Sequence, residues 1–249
     1  MKKDHSITKH FGSNLAILLS KKIQDVYPLF AAKSYINAIE RECTGKTYTQ
    51  RVELHAMELK KQLPSNYPKT LEILSGILGP ENTKETGMFS NYYWLLPIAK
   101  YVEKYGLEHY DLSIVAISEI TKRSTAEYAI RPYIMKYPEK AIKTMSNWAQ
   151  DDNFHIRRLA SEGLRPKLPW AKKLEVFIDE PKPVFNILEL LKEDTIKYVQ
   201  KSVANHLTDY LKVNITPTTS LLKVWKESDN PNTKWIVKHA TRKISPFEG

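Results

Sequence analysis

The sequence predicts an all-α protein, a HEAT-like helical-repeat solenoid in which antiparallel helix pairs stack into a curved array. Three observations predict it. Apolar residues recur at three- and four-residue spacing through most of the 249-residue chain, and the alternation that marks strands is nearly absent. Proline and glycine fall between these apolar stretches, where their backbones start or stop helices. A short pattern also recurs three times toward the C-terminus, at an interval suited to stacked helix pairs.

Taken in order, residues 14–30, 32–42, 48–63, 67–78, 91–105, 109–121, 124–136 and 138–150 carry the helical period. Pro64, Pro68, Gly79-Pro80, Gly106, Pro132 and Pro138 punctuate them. The segment GPENTKETGMFS, 79–90, reads as a loop or weak boundary. Within one helical domain, 1–249, a first part, 1–85, is expected to brace a repeat array over 88–244. The repeat shows when IRRLASEG from Ile156 is set beside VQKSVANH from Val199 and IVKHATRK from Ile236. Each has a β-branched residue, a basic residue two positions on, then a small one. Intervals of 43 and 37 residues separate the copies, near the roughly 40–47 of HEAT and armadillo repeats. An apolar helix precedes each copy (AIKTMSNWA, VFNILELLK and TTSLLKVWK), as a stacked pair requires.

Hydrophobic residues make up 42% of the chain and aromatic residues 10%, which excludes a disordered or low-complexity polypeptide. The 38 Lys and Arg against 28 Asp and Glu leave a net charge of +10, which points to a polyanionic partner; the plain alternative is a solubilising face. Cys43 is the single cysteine, so neither an internal disulfide nor a thiolate metal site is expected, and the compartment expected is the reducing cytoplasm. LAILL near the N-terminus is too short for a signal-peptide core. No stretch reaches the roughly 18–20 apolar residues of a membrane span, so no membrane partner is expected.

On a helix wheel the second copy sends Val199, Val203, Leu207 and Leu211 to one side and Lys201, Asn205 and Asp209 to the other. The first copy buries Ile156, Ala160 and Leu164 and turns Arg158, Glu162 and Arg165 outward; in the third, Lys238 and Arg242 hold the matching places. Arg158, Lys201 and Lys238 share one repeat phase and would stand in a row able to follow a phosphate backbone. The plain alternative is that Arg158 pairs with Glu162 at i, i+4. The DNA contacts expected are Arg158, Arg165, Lys201, Asn205, His206, Lys238, His239 and Arg242, with the histidines donating to phosphate or backbone.

Glu162 and Asp209 would repel phosphate, so they either neutralise crowded arginines or perform chemistry. A carboxylate facing a nucleotide can stabilise the sugar cation that forms as a glycosidic bond breaks, and can orient water. Glu127, between Arg123 and Arg131 at four-residue spacing, is a third candidate. Trp170 follows RPKLP at a helix terminus or loop, where an indole either plugs a core gap or packs on a sugar, a base or a cationic base. Trp148, Trp225 and Trp235 read as core. No glycine-rich phosphate loop, paired-cysteine zinc motif, nucleophile elbow or kinase signature occurs, and His155, His206 and His239 do not form a metalloprotease motif.

The segments LSIVAISEITKRSTAEYAIRPYI, DDNFHIRRLASEGLRPKLPWA, DTIKYVQKSVANHLTDYLK and WIVKHATRKI, in order over roughly 88–244, resemble the bacterial DNA alkylation repair glycosylases built from HEAT-like repeats, of the AlkC branch. The resemblance implies hydrolysis of the N-glycosidic bond of cationic N-alkylated bases, N3-methyladenine foremost, with N3-methylcytosine and 1-methyladenine as further candidates. It implies double-stranded DNA containing alkylated bases as partner, action without ordinary base flipping, a monomer, and no cofactor or metal. By resemblance Glu127, Glu162, Trp170 and Asp209 lie nearest the lesion: Asp209 and Glu162 stabilise the oxocarbenium ion and position water, and Trp170 packs on the damaged nucleotide. The chain departs from the family's pattern at Gln200 and Tyr210, where arginine and isoleucine are expected. The immunoglobulin-like domain that some relatives carry after the repeats is not expected after ISPFEG. Two other classes fit the basic face: a non-catalytic helical-repeat module binding damaged or branched DNA, and a solenoid binding an acidic protein.

Overall fold

The computed structural model describes residues 7–87, 89–169, 171–244 and 246–247. Every regular element among them is a helix, and none is long and apolar enough to cross a membrane. The protein is an all-α helical-repeat protein. The chain clusters into two compact units, Met1–Asn82 with Gly87–Ala129, and Thr83–Thr86 with Ile130–Gly249.

The first unit contains α1 (Ser13–Val26), α2 (Ala32–Glu42), α3 (Tyr48–Gln62), α4 (Tyr67–Gly76), the single turn α5 (Phe89–Tyr92), α6 (Leu96–Tyr105) and α7 (Tyr110–Thr121). Helix α1 stops at Val26, short of the expected residue 30. Pro28 follows Tyr27, and a residue before proline is pushed out of the helical region; Tyr27 sits at φ −142°, ψ 82°. A capping box starts α3: Thr47 Oγ1 accepts from Gln50 N at 3.4 Å, and Gln50 Oε1 accepts from Thr47 N at 2.9 Å. Helix α1 packs on α2 and α4, α3 on α2 and α6, and α7 on α4 and α6. Phe11, Leu19, Ile39, Leu59, Leu74, Val102 and Ile117 are buried among them.

The second unit contains α8 (Arg131–Lys136), α9 (Pro138–Trp148), α10 (Phe154–Glu162), α11 (Lys182–Leu191), α12 (Lys197–Val213), α13 (Ile215–Lys226) and α14 (Pro231–Ala240). The single helix expected over 124–136 begins only at Arg131, because Pro132 suits a first helical turn and not an interior; residues 122–130 form turns and coil. Helices α9 to α14 make three pairs. Their second members, α10, α12 and α14, carry the three sequence copies, and α12 packs on both α10 and α14. Ile156, Ala160, Leu164, Val199, Val203, Leu207, Leu211, Ile236 and Ala240 are buried, as the wheel requires.

Polar ties fix successive repeats. Arg157 Nε donates to Asp194 Oδ2 at 2.6 Å, and Thr208 Oγ1 donates to Ala240 O at 2.9 Å. Helix α10 starts on Asn153, whose Oδ1 accepts from His155 N at 2.9 Å; α14 starts on Asn230, which accepts from Asn232 N at 2.8 Å.

Each unit buries a neutral histidine. Burial pushes His55 down to about 4, with its Nδ1 2.6 Å from Tyr35 Oη, and burial with Arg165 nearby pushes His206 down to about 3. In an unfolded chain histidine titrates near ~6.5, so below that pH the unfolded state binds protons that the folded state refuses. This contribution to stability is whole above pH ~6.5 and is lost as pH falls through the folded values, by up to about 1.4 kcal/mol per pH unit per histidine. The urea midpoint is therefore expected to fall from pH 7 to 4.5. A flat midpoint would mean that the imidazoles are charged or exposed in the folded state.

Candidate active site

The last turn of α10 and the C-terminal half of α12 bring two carboxylates onto one guanidinium. Arg165, just past the end of α10, donates from Nη1 to Glu162 Oε1 at 2.6 Å. Its Nε and Nη2 both reach Asp209 Oδ2, at 2.8 and 2.7 Å. Asp209 Oδ1 takes no donor among the described residues. Glu162 Oε2 accepts from Ser202 Oγ at 2.6 Å and stands 3.6 Å from Arg158 Nη2. The Arg158 guanidinium in turn lies over the Tyr198 ring, 4.6 Å from its centroid. Behind this layer Ser202 Oγ lies 3.1 Å from Ser161 Oγ, which is 3.5 Å from His206 Nδ1.

These surroundings shift the two acids in opposite directions from their ordinary values. Burial raises the proton affinity of both. For Glu162 the charges of Arg158 and Arg165 and the Ser202 hydrogen bond outweigh it and hold the carboxyl below the usual range. Asp209 is pulled down by Arg165 and Lys212 but pushed up by Glu162, and burial leaves it above its ordinary value. One carboxylate is thus a firmly ionised, fully engaged anion. The other holds its proton more tightly than an ordinary aspartate and keeps one oxygen open.

The structure corrects the outward stripe. Glu162 and Asp209 are only 5% and 9% exposed, because α12 lies over the face of α10 that a single-helix wheel leaves open. Arg158 and Arg165 are half-buried and matched by these acids, so they do not extend a row of unmatched cations. The pairing of Arg158 with Glu162 at i, i+4 is present. His206 is 0% exposed and stacks on Tyr210 at 5.3 Å, so it cannot contact DNA. Its position in the repeat faces the α10 interface and not solvent. Lys201, Lys238 and Arg242 are exposed, and His239 and Asn205 are half-buried, the latter accepting from Arg242 Nη2 at 3.2 Å. Trp148 and Trp225 are core, but Trp235 is half-exposed.

Glu127 belongs to the first unit and sits in a turn, accepting from Thr125 Oγ1 at 2.5 Å. The helix face expected to join it to Arg123 and Arg131 does not form: Arg123 donates to Gly79 O at 2.6 Å and pairs with Glu119, and Arg131 is buried. Trp170 lies outside the described residues. No group of three His, Cys, Asp or Glu side chains suited to a metal ion occurs among the described residues.

Sequence reasoning missed Arg131. Its Nη1 donates to Gly163 O at 3.2 Å and Arg165 O at 2.9 Å, and its Nη2 to Lys172 O. Leu174 N donates to Pro166 O at 3.1 Å and closes the same corner. Gly163 lets the end of α10 pack against Ile130, since a Cβ there would stand 2.9 Å from Ile130 Cγ2. The charge and proline crowded into RRLASEGLRPKLPW thus build a rigid mount that holds Arg165 between its two acids. The sole sequence signal was the Arg-Pro dipeptide, which starts a helix and says nothing of the three carbonyls ahead of it.

A sequence profile of the family described as DNA alkylation repair enzyme matches residues 97–244. The chain is similar to the uncharacterized protein YhaZ of Bacillus subtilis (strain 168), 34% identical over 245 residues, which cover 94% of this chain and 63% of that protein. It is also similar to the solved structure of Pseudomonas fluorescens alkylpurine DNA glycosylase AlkC bound to DNA containing an abasic site analog. That match has 33% identity and a TM-score of 0.86, covering 95% of this chain and 64% of the other. The chain spans a little under two thirds of the length of both.

Proposed function

The chain belongs to the DNA alkylation repair enzyme family, and from that premise we propose that it is a DNA glycosylase that hydrolyses the N-glycosidic bond of cationic N-alkylated bases in duplex DNA, N3-methyladenine foremost. The observation that carries the reading is the pair of unequal carboxylates, Glu162 and Asp209, held on the Arg165 guanidinium. A cationic base needs no protonation to leave, so the protein must only steady the positive sugar and deliver water to it. Asp209 suits both tasks through Oδ1, and its raised proton affinity suits it to take the proton from the attacking water. Glu162 holds Arg165 in place and adds a fixed negative charge behind it. Exposed Lys201 and Lys238 on the neighbouring helices supply contacts to phosphate. The base leaves without being drawn into a closed pocket.

A non-catalytic DNA-binding module is the second reading, favoured by the charge balance of the cluster, two acids on two arginines. One assay separates the two. Free N3-methyladenine is expected from methylated duplex DNA incubated with the protein, in equal yield with and without a chelator. Saturated DNA binding without base release would leave only the module.

A further inference from the structure

We propose that Lys197, Lys201 and His239, braced by Trp235, form a proton-linked seat for a DNA backbone phosphate, in which the arriving phosphate draws a proton onto His239. The inference rests on the reading of the chain as a DNA-binding enzyme and concerns residues apart from the acid cluster. Lys197, Lys201 and Asn205 follow one another at four-residue spacing along α12, and Trp235 and His239 do so on α14, so each set shares a helix face. The two helices pack together. Lys197 Nζ lies 3.5 Å from the centroid of the Trp235 ring and donates to Gln200 Oε1 at 2.6 Å. The His239 ring stacks on the same indole, with centroids 4.7 Å apart and planes 14° from parallel.

The charge of this face is unmatched. Lys61, Lys100, Lys104 and Lys122 each hold a carboxylate. Lys197, Lys201 and Arg242 form no ion pair among the described residues. They are also the cations that bear on His239: Lys197 and Lys201 from α12, and Arg242 just past the end of its own helix. Helix α13, also packed on α14, places no charge that bears on it. Partial burial and these three cations hold the imidazole neutral at a lower pH than usual. Trp235 contributes a rigid surface that keeps the ring and the ammonium in place.

An anion entering such a field reverses it. A phosphate among Lys197, Lys201 and His239 offsets the repulsion that kept the proton off the imidazole and accepts a hydrogen bond from the protonated ring. The pKa in the complex then exceeds that of the free protein. The added affinity is complete below the free value and disappears as pH rises through the bound value.

The experiment is fluorescence anisotropy of wild type and His239→Gln with an undamaged duplex, from pH 5.5 to 8 at constant ionic strength. Wild-type affinity is expected to rise toward low pH by about threefold more than that of the variant, within the tenfold per pH unit that one proton allows. Calorimetry in two buffers of different ionisation enthalpy should show proton uptake on binding that the variant lacks. Parallel pH profiles and equal uptake would overturn the inference while leaving the enzyme reading intact. Absence of DNA binding at any pH would overturn both. If millimolar inorganic phosphate alone drives the same proton uptake, the seat is a free-anion site and its assignment to DNA falls.

Discussion

Asp209→Asn is expected to lower the single-turnover rate of N3-methyladenine release by about a hundredfold or more, the scale on which loss of one aimed electrostatic group slows a reaction. The substitution keeps the shape of the side chain and leaves Arg165 its bond to Glu162, so the corner stays assembled. What disappears is the charge proposed to face the sugar and the group proposed to accept the proton of water. DNA binding should hold or strengthen slightly, since a negative charge leaves a surface proposed to meet phosphates. Rate and affinity are read from one set of quench experiments with protein in excess over methylated duplex. A wild-type rate in the variant would remove Asp209 from the chemistry and, with it, the division of labour between the two acids.

Arg131→Met should produce the largest loss of stability. Arg131 is 3% exposed, and its guanidinium spans three carbonyls, of Gly163, Arg165 and Lys172. Methionine approximates the stem but donates to none of them, and buried acceptors left without donors cost about 1–3 kcal/mol each where water cannot reach. Some relaxation of the loop lowers the sum, leaving an expected loss of about 3–5 kcal/mol. The second unit should melt earlier, and limited trypsin digestion should open the chain at Lys167, Lys172 and Lys173. The rate of base release should fall as well, because the carbonyl of Arg165 is one of the tethered groups. A variant as resistant to trypsin as wild type would show that the corner holds without its staple.

How far the sequence reached can be followed along α12. Val199, Val203, Leu207 and Leu211 are buried as their spacing required, because the period of a helix is a local property that side chains three and four apart express on their own. Lys201 is exposed as expected. His206 and Asp209 are not, because the wheel of one helix has no knowledge of the neighbour that covers its flank. The same blindness concealed Arg131, whose acceptors lie 32 to 41 residues away. Trp235 failed in the opposite direction: an indole in an apolar pattern reads as core, yet α14 leaves its ring half-open beside Lys197.

The sequence by itself determined that the chain is helical, where most helices stop and that the later ones repeat. These follow from backbone sterics at proline and from periodicity, which operate within a turn or two. Only the tertiary structure decided that Asp209 reaches the Arg165 guanidinium across 44 residues of chain and shares it with Glu162, that Glu162 has both oxygens engaged while Asp209 keeps one open, and that Arg158 is already matched. Burial and charge pairing are set by which helix lies against which, and that choice is made by the packing of the whole core.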